Sequence, residues 1–217
     1  YEATHSVTWA KPAADGKHTM IIADHLNPRP DYIREESAGN DRSGGAWRPF
    51  LKGETALFRG DILGDRYYAV TDEGAVRGRL VSIPLASPTD RSTWKELIPG
   101  SDDVLATLHI VDGHLVLADL VDCYSRLRVF DTDGQFKGEI KMPGHGSMSS
   151  HNFVMPNMMD MFAKGGGSDV LFPFSTAAQS PALYKANIHT LQVEALTQPQ
   201  LKIDAQFHDH AAVSADG

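Results

Sequence analysis

The stretch from Val104 to Leu120 reads VLATLHIVDGHLVLADL and carries the clearest structural signal in the sequence. Two runs rich in apolar and β-branched residues, Val104 to Val111 and His114 to Leu120, flank the dipeptide Asp112-Gly113. An Asp-Gly dipeptide between two such runs predicts an antiparallel β-hairpin, because a two-residue turn needs residues that accept positive φ angles. The stretch therefore predicts two adjacent antiparallel strands.

The residues that follow extend this hairpin into a sheet of four strands. Two further β-type runs, Arg126 to Asp131 and Phe136 to Met142, are separated by the turn signal Asp133-Gly134. No run of about a dozen residues has apolar positions at helical spacing with caps at both ends. Short β-type runs recur instead, among them His18–Ala23, Arg66–Thr71 and Val170–Phe174. We therefore predict an all-β protein.

The turn signals repeat along the chain at a nearly constant interval. Gly16, Gly64, Gly113 and Gly166 each lie between two β-type runs, at spacings of 48, 49 and 53 residues. An aromatic residue opens a later run in three of the repeats, at Trp47, Trp94 and Phe136. A period just under about fifty residues with four short strands per repeat is typical of β-propeller blades.

The repeat divides the chain into four predicted blades. One blade cannot bury both faces of its small sheet, so blades stack around a channel and share a continuous core. We place the β-propeller within residues 1–200, and the boundaries of the four blades are approximately 7–53, 54–99, 103–142 and 144–198.

Composition and charge exclude several classes of protein. The 217 residues carry 20 basic and 28 acidic side chains, a net charge of −8 that repels nucleic-acid backbones. The apolar runs are too short to span a bilayer, so we expect neither a nucleic-acid nor a membrane partner. A single cysteine, Cys123, excludes internal disulfides. The chain starts at Tyr1 without a recognisable signal peptide, so we expect a segment of a longer protein, cytoplasmic or periplasmic.

Several motifs resemble the propeller of the prolyl oligopeptidase family. The segment VTDEGAVRGRLVSIPL from Val70 to Leu85, followed by TWKELIP from Thr93, is similar to a strand pair and next strand of that family. Val76 stands where many bacterial members have proline. The Asp103-Val-Leu tripeptide and FPFSTAAQSPALY from Phe172 resemble the start of the next blade and a motif near the end of the propeller. The pieces agree in order and spacing from about Asp15 onwards.

The resemblance implies that the chain is part of a serine peptidase. Family members have a seven-bladed propeller, of which this chain would hold about four consecutive blades. An α/β-hydrolase catalytic domain follows, and Leu201 to Gly217 resembles its first segment. The resemblance implies two partners, the chain's own catalytic domain and short proline-containing peptides. The propeller would gate access of these peptides to an active site that cleaves after proline.

The sequence contains no recognisable catalytic centre of its own. No Gly-x-Ser-x-Gly motif occurs, so we predict no catalytic residue and an inactive isolated chain. His208 and His210 could share a strand face, but without a third ligand we interpret them as solvated and predict no metal site. We interpret His145 and His151 as surface histidines and Cys123 as a structural thiol near the rim. No phosphate-binding glycine loop or calcium loop is present, and we expect no cofactor.

Arg77 is the one candidate binding residue. It lies with Arg79 in the segment that resembles the family, where polar propeller residues line the interface with the catalytic domain and some approach the substrate. Arg77 is therefore a candidate for the domain interface or the substrate chamber. The alternative is an ion pair within its own sheet.

Two other functions remain open at the level of sequence. Four repeats would suffice for a self-contained four-bladed propeller that binds a protein or another ligand, provided that both termini complete one blade. A propeller that processes or binds glycans would need carboxylates and aromatics on the channel face. Aromatic residues make up only 8% of the chain, which disfavours the glycan hypothesis.

Overall fold

The fold is known from a computed structural model, which describes residues 7–24, 28–36, 44–148 and 163–204. These residues form four four-stranded sheets, and every neighbouring pair of strands within a sheet is antiparallel. The helical content of the described ranges is one short 3-10 turn, Arg91–Thr93. The all-β prediction is therefore confirmed.

Each sheet is a meander in which strands follow one another in chain order, and we call the four sheets blades 1 to 4. Blade 1 contains β1 (Val7–Pro12), β2 (His18–Asp24), β3 (Arg29–Glu35) and β4 (Arg48–Pro49). Blade 2 contains β5 (Phe58–Leu63), β6 (Arg66–Thr71), β7 (Arg79–Pro84) and β8 (Lys95–Ile98). Blade 3 contains β9 (Val104–Val111), β10 (His114–Val121), β11 (Tyr124–Phe130) and β12 (Phe136–Ile140). Blade 4 contains β13 (Ala163–Lys164), β14 (Asp169–Thr176), β15 (Gln179–Asn187) and β16 (Val193–Ala195).

The repeated glycines lie in the turn between the first and second strand of each blade. Gly16, Gly64 and Gly113 have φ angles of 67°, 65° and 70°, and a Cβ added to any of them would meet no atom within 4 Å. Glycine is therefore needed there for the left-handed backbone and not for space. In blade 4 the left-handed residue is Gly167, with a φ of 61°, and not the predicted Gly166. Because Gly165, Gly166 and Gly167 are consecutive glycines, the sequence alone cannot show which of them adopts the left-handed conformation.

The three aromatic markers fall at the fourth strands of blades 1, 2 and 3. Trp47 and Trp94 directly precede β4 and β8, and Phe136 is the first residue of β12. One predicted boundary is wrong, because β11 begins at Tyr124 and not at Arg126. Asp122 and Cys123 both adopt positive φ angles, 48° and 69°, and make a two-residue turn that leaves Tyr124 free to pair with Val121.

Three apolar clusters, one in each seam between successive blades, form the core. Side chains of one strand alternate between two seams, because neighbouring residues of a strand point to opposite faces. In β10, Leu115 and Leu117 pack against blade 2, whereas Val116 and Ala118 pack against blade 4. The seam between blades 1 and 2 contains, among others, Met20, Ile33, Phe50, Tyr67, Ala69 and Ile83. Each blade thus depends on its neighbour for its core.

The outward face of blade 4 is partly open. Among the described residues, no apolar cluster joins blade 4 to blade 1. Val170 and Phe172 face blade 3, so the free face of blade 4 presents Leu171 and Leu183 instead. Leu183 is 37% exposed. Among the described residues the four blades thus share three apolar seams, an arrangement that we call the arc.

The antiparallel order gives each blade two distinct ends. Turns between strands one and two, and between three and four, lie at one end of the sheet, which we call the hairpin end. Turns between strands two and three, and the links that join successive blades, lie at the opposite end, which we call the link end. The first strands of neighbouring blades contact one another, as β5 and β9 do, so these strands lie innermost. No helix of the described ranges is long and apolar enough to cross a membrane.

We expect Leu115→Ala to lower the free energy of unfolding by about 2–5 kcal/mol, because Leu115 is fully buried in the seam between blades 2 and 3. Val76→Ala is the matched control, since Val76 is 98% exposed, and it should change stability by less than about 0.5 kcal/mol. Urea unfolding followed by tryptophan fluorescence measures both. If both variants lost the same free energy of unfolding, burial in the seam would not be the source of the stability.

Candidate functional site

Arg77 lies in the turn between β6 and β7, at the link end of blade 2. Gly74 and Gly78 give this turn its shape, with φ angles of 72° and 88°. The Gly78 N–H donates to the Ala75 carbonyl at 2.7 Å and closes the apex. Val76 is 98% exposed as a consequence, and it projects beside Arg77 at the surface.

The partner of Arg77 lies outside its own sheet. Its Nη1 donates to the backbone carbonyl of Asp102, and the Asp102 carboxylate lies 3.8 Å away. Asp102 belongs to the link between blades 2 and 3, so the predicted alternative of an ion pair within the sheet is wrong for Arg77. Arg79 does form an ion pair within the sheet, because its Nη1 donates to Glu96 on β8 at 3.0 Å. The carbonyl of Arg77 also accepts from Leu105 N–H at 2.8 Å, which ties the turn to blade 3.

An open cleft of about 680 Å³ surrounds these arginines. It is lined by Gly74, Ala75, Val76, Arg77, Arg79, Glu96, Gly100, Ser101 and Asp102. Each arginine faces a carboxylate, so the cleft has paired charges at its wall and an exposed valine at its rim. Such a surface suits contact with another polar protein surface better than enclosure of a small apolar ligand.

Arg91 connects the β6–β7 turn to the link that precedes blade 2. Its Nη2 donates to Glu73 in the same turn at 2.9 Å and to Glu54 in the preceding link at 2.8 Å. The guanidinium also lies 4.3 Å from the centre of the Trp94 ring. The hydrogen bonds to Glu73 and Glu54 raise the pKa of Arg91 above its ordinary value, and partial burial opposes them. Sequence reasoning could not find this contact, because Glu54 lies 37 residues from Arg91 along the chain.

A second cleft of about 1,120 Å³ lies at the link end of blade 3, around the Asp122-Cys123 turn. Cys123 is exposed, and its carbonyl accepts from Ser147 Oγ at 3.0 Å. His145 is exposed, as predicted, and its ring meets the edge of Tyr124 at 5.1 Å. The other predicted histidines, His151, His208 and His210, lie outside the described residues.

A compact ionic cluster lies in blade 3. Asp119 is fully buried, and its Oδ2 accepts from Arg126 at 3.0 Å and from Arg128 at 2.5 Å. Arg126 also donates to Asp103 in the link at 2.7 Å. Asp102 and Asp103 are adjacent in sequence, and they bind arginines of blades 2 and 3 respectively. The link thus fastens two blades through consecutive carboxylates.

The one Ser, His and Asp group that the described residues bring together does not have the geometry of a catalytic triad. Ser168 Oγ donates to Asp112 Oδ2 at 2.8 Å, and His189 Nε2 donates to the same oxygen at 2.8 Å. A nucleophile needs its hydroxyl hydrogen-bonded to the histidine, whereas this serine bonds to the aspartate. Within the described ranges no group of three His, Cys, Asp or Glu side chains could hold a metal ion.

Four-stranded meanders with their first strands innermost define a β-propeller, here with a contact surface at the link end. The match to known families agrees with this description and specifies the type. The chain belongs to the family described as prolyl oligopeptidase, N-terminal beta-propeller domain, whose model matches residues 14–157.

The relatives are much longer than this chain. A prolyl endopeptidase of Elizabethkingia meningoseptica is 24% identical over 160 residues, which are 72% of this chain and 21% of that protein. A solved prolyl endopeptidase structure superimposes with a TM-score of 0.69 at 24% identity, over 92% of this chain and 27% of the other. Apo prolyl oligopeptidase B from Galerina marginata gives 0.69 at 14% identity, over 93% and 28%. The solved structures support the fold alone.

We expect Arg91→Met to lower the free energy of unfolding by about 1–2 kcal/mol, because Glu54 and Glu73 lose their shared cation and repel each other. Lys95→Met is the control, since Lys95 and Asp133 are more exposed than the Arg91 groups, and it should cost less than about 0.5 kcal/mol. Chemical denaturation of the three proteins measures the difference. If Lys95→Met lowered the free energy of unfolding as much as Arg91→Met, the contacts of Arg91 with Glu54 and Glu73 would not be the cause of the loss.

We expect Cys123→Gly to raise the free energy of unfolding by about 1 kcal/mol, because a residue with a Cβ is strained at a φ of 69°. Cys123→Ala removes the thiol but keeps the Cβ, so its stability should stay close to that of the parent. Thermal and urea unfolding of both variants test the turn geometry. An alanine variant as stable as the glycine variant would show that the backbone strain is not the cause.

Proposed function

We propose that this chain is part of the propeller of a prolyl oligopeptidase-type serine peptidase. In this proposal the propeller admits short peptides and excludes folded proteins from the active site of a catalytic domain that cleaves after proline. The four blades contribute steric filtering and a share of the wall of the substrate chamber. The nucleophile and its histidine would come from the catalytic domain.

The observation that carries this proposal is the arc of three seams. A propeller blade buries both faces only between two neighbours. Among the described residues, blades 2 and 3 each share apolar clusters with two neighbours, whereas blades 1 and 4 each share one with a single neighbour. Leu183 and Leu196 are exposed on blade 4, which supports a further blade against that face. A seven-bladed ring would supply it.

The even number of strands indicates where the catalytic domain would dock. A blade of four antiparallel strands starts and finishes at the link end, so a chain enters and leaves the propeller at that end. The segment after β16 supports this, because the Ser180 N–H donates to the Leu201 carbonyl at 2.9 Å, at the β14–β15 turn of the link end. We propose that residues 201–217 begin the catalytic domain, which would then face Val76 and Arg77.

A self-contained four-bladed module is the alternative. It would need a fourth seam between blades 4 and 1, with an apolar cluster like the other three. The described residues of those two faces form none. The arc therefore favours the peptidase proposal over the binding module.

The isolated chain should not hydrolyse proline-containing chromogenic peptides, whereas the intact polypeptide with its catalytic domain should hydrolyse them. A serine-directed inhibitor should abolish the activity of the intact polypeptide, because the reaction needs an activated serine. Initial rates of both proteins measure this. Inhibitor-sensitive turnover by the isolated chain would overturn the proposal.

The docking end can be tested separately in the intact polypeptide. Val76→Asp places a charge on the exposed valine of the link end, and we expect it to weaken domain association and reduce turnover at least fivefold. Phe136→Asp is the matched control, since Phe136 is 58% exposed at the hairpin end and should leave turnover unchanged. If only Phe136→Asp lost turnover, the catalytic domain would dock at the hairpin end, and the proposed link-end docking would be wrong.

A further inference from the structure

Asp112, Ser168 and His189 meet at the hairpin end of the seam between blades 3 and 4. Asp112 lies in the β9–β10 turn of blade 3, whereas Ser168 and His189 lie in two different turns of blade 4. Asp112 Oδ2 accepts from Ser168 Oγ and from His189 Nε2, each at 2.8 Å. We call these three residues and His114 the clasp, because they join the two blades at their hairpin ends.

The hydrogen bonds fix the protons on both histidines. His114 Nδ1 lies 2.8 Å from the Asp112 carbonyl, which can only accept, so this nitrogen carries a proton. His189 Nε2 must carry one for the same reason, since it faces a carboxylate. The two rings meet edge to face with centroids 5.1 Å apart. A further proton on His189 would therefore go to Nδ1 and would leave the bond to Asp112 intact.

The other two seams are closed by groups that keep their charge near neutral pH. Lys11 lies 3.3 Å from Asp61 in the seam between blades 1 and 2, and Lys95 lies 3.1 Å from Asp133 in the seam between blades 2 and 3. Lysine and aspartate titrate far from pH 5–8, whereas histidine titrates at about 6.5. Among the described contacts, the clasp is thus the inter-blade ion pair that can change charge in this range.

The Asp112 carboxylate carries the negative charge of the clasp. The hydrogen bond from His189, with that from Ser168, lowers the pKa of Asp112 below its ordinary value of 3.8. Asp112 therefore stays ionised throughout the range in which histidines gain protons. Among the described residues, the titratable groups that face Asp112 are His189 and His114, while Asp169 beside Ser168 accepts from the Asn187 amide at 2.9 Å.

We propose that this cluster is a proton-operated clasp, which tightens the seam between blades 3 and 4 when the pH falls from 7.5 to 5.5. Protonation turns the neutral bond between His189 and Asp112 into an imidazolium–carboxylate pair across the seam. A second proton, on His114, adds a like charge 5.1 Å from His189 and limits the gain. The added stability is present below the histidine range, falls as the pH rises through it, and is lost again where Asp112 itself is protonated. The clasp is a property of the two blades and does not rest on the proposed function.

Native-state hydrogen exchange of the 217-residue chain tests the clasp, with the opening constant of blade 4 measured on peptides of β14 and β15. After correction for intrinsic exchange, we expect blade 4 to open two- to fivefold less often at pH 5.5 than at pH 7.5, the range of an exposed ion pair. His189→Gln keeps a donor but cannot titrate, so it should remove this difference. Asp112→Asn removes the carboxylate charge and should also remove the pH difference. Asparagine accepts the φ of 45° at this position, so the backbone of the turn should be kept.

The pair Lys95 and Asp133 supplies the control. Lys95→Gln should leave the pH response of blade 4 unchanged, because that pair lies in another seam. Blade 2 peptides from β6 and β7 serve as an internal reference. The proposal is overturned if blade 4 shows no pH response in the parent protein, or if His189→Gln responds as strongly as the parent.

Discussion

A small β-sheet with two apolar faces cannot be stable alone, and the rest of this structure follows from that constraint. Strand β10 sends alternate side chains into two different seams, so Leu115 and Val116 belong to separate cores although they are neighbours in sequence. The seams are therefore the units of stability, and the blades are only the units of repetition. Polar contacts between blades, such as those of Asp61 and Asp112, fix how the sheets lie against each other at the ends of the seams.

The repeat itself could be read from the sequence because its signals are local. Asp112-Gly113 forms its hairpin from two adjacent residues, and the aromatic residues that mark three of the fourth strands follow the turn glycines by 31, 30 and 23 residues. Where local signals are degenerate, the prediction fails by one or two residues. Three consecutive glycines conceal the left-handed position at Gly167, and Asp122-Cys123 adopts a turn that glycine or asparagine usually makes.

The candidate site was only partly predictable, for a different physical reason. The sequence places Arg77 in a turn, but its partner Asp102 lies on a link that folding brings alongside. Arg91 with Glu54, and Asp112 with His189, are separated by 37 and 77 residues. No periodicity connects such pairs, because they arise from the way one blade packs on the next. Long-range polar contacts of this kind are the part of a repeat protein that its repeat does not encode.

The four-strand meander also has an evolutionary consequence. Since each blade starts and finishes at the link end, duplicating a whole blade inserts a closed loop of chain and leaves both attachment points at the same end. A ring can therefore change its number of blades, and so the width of its channel, without moving a neighbouring domain. A unit with an odd number of strands would reverse the direction of the chain at every duplication. A ring of such units could not change the width of its channel and keep the neighbouring domain at the same end.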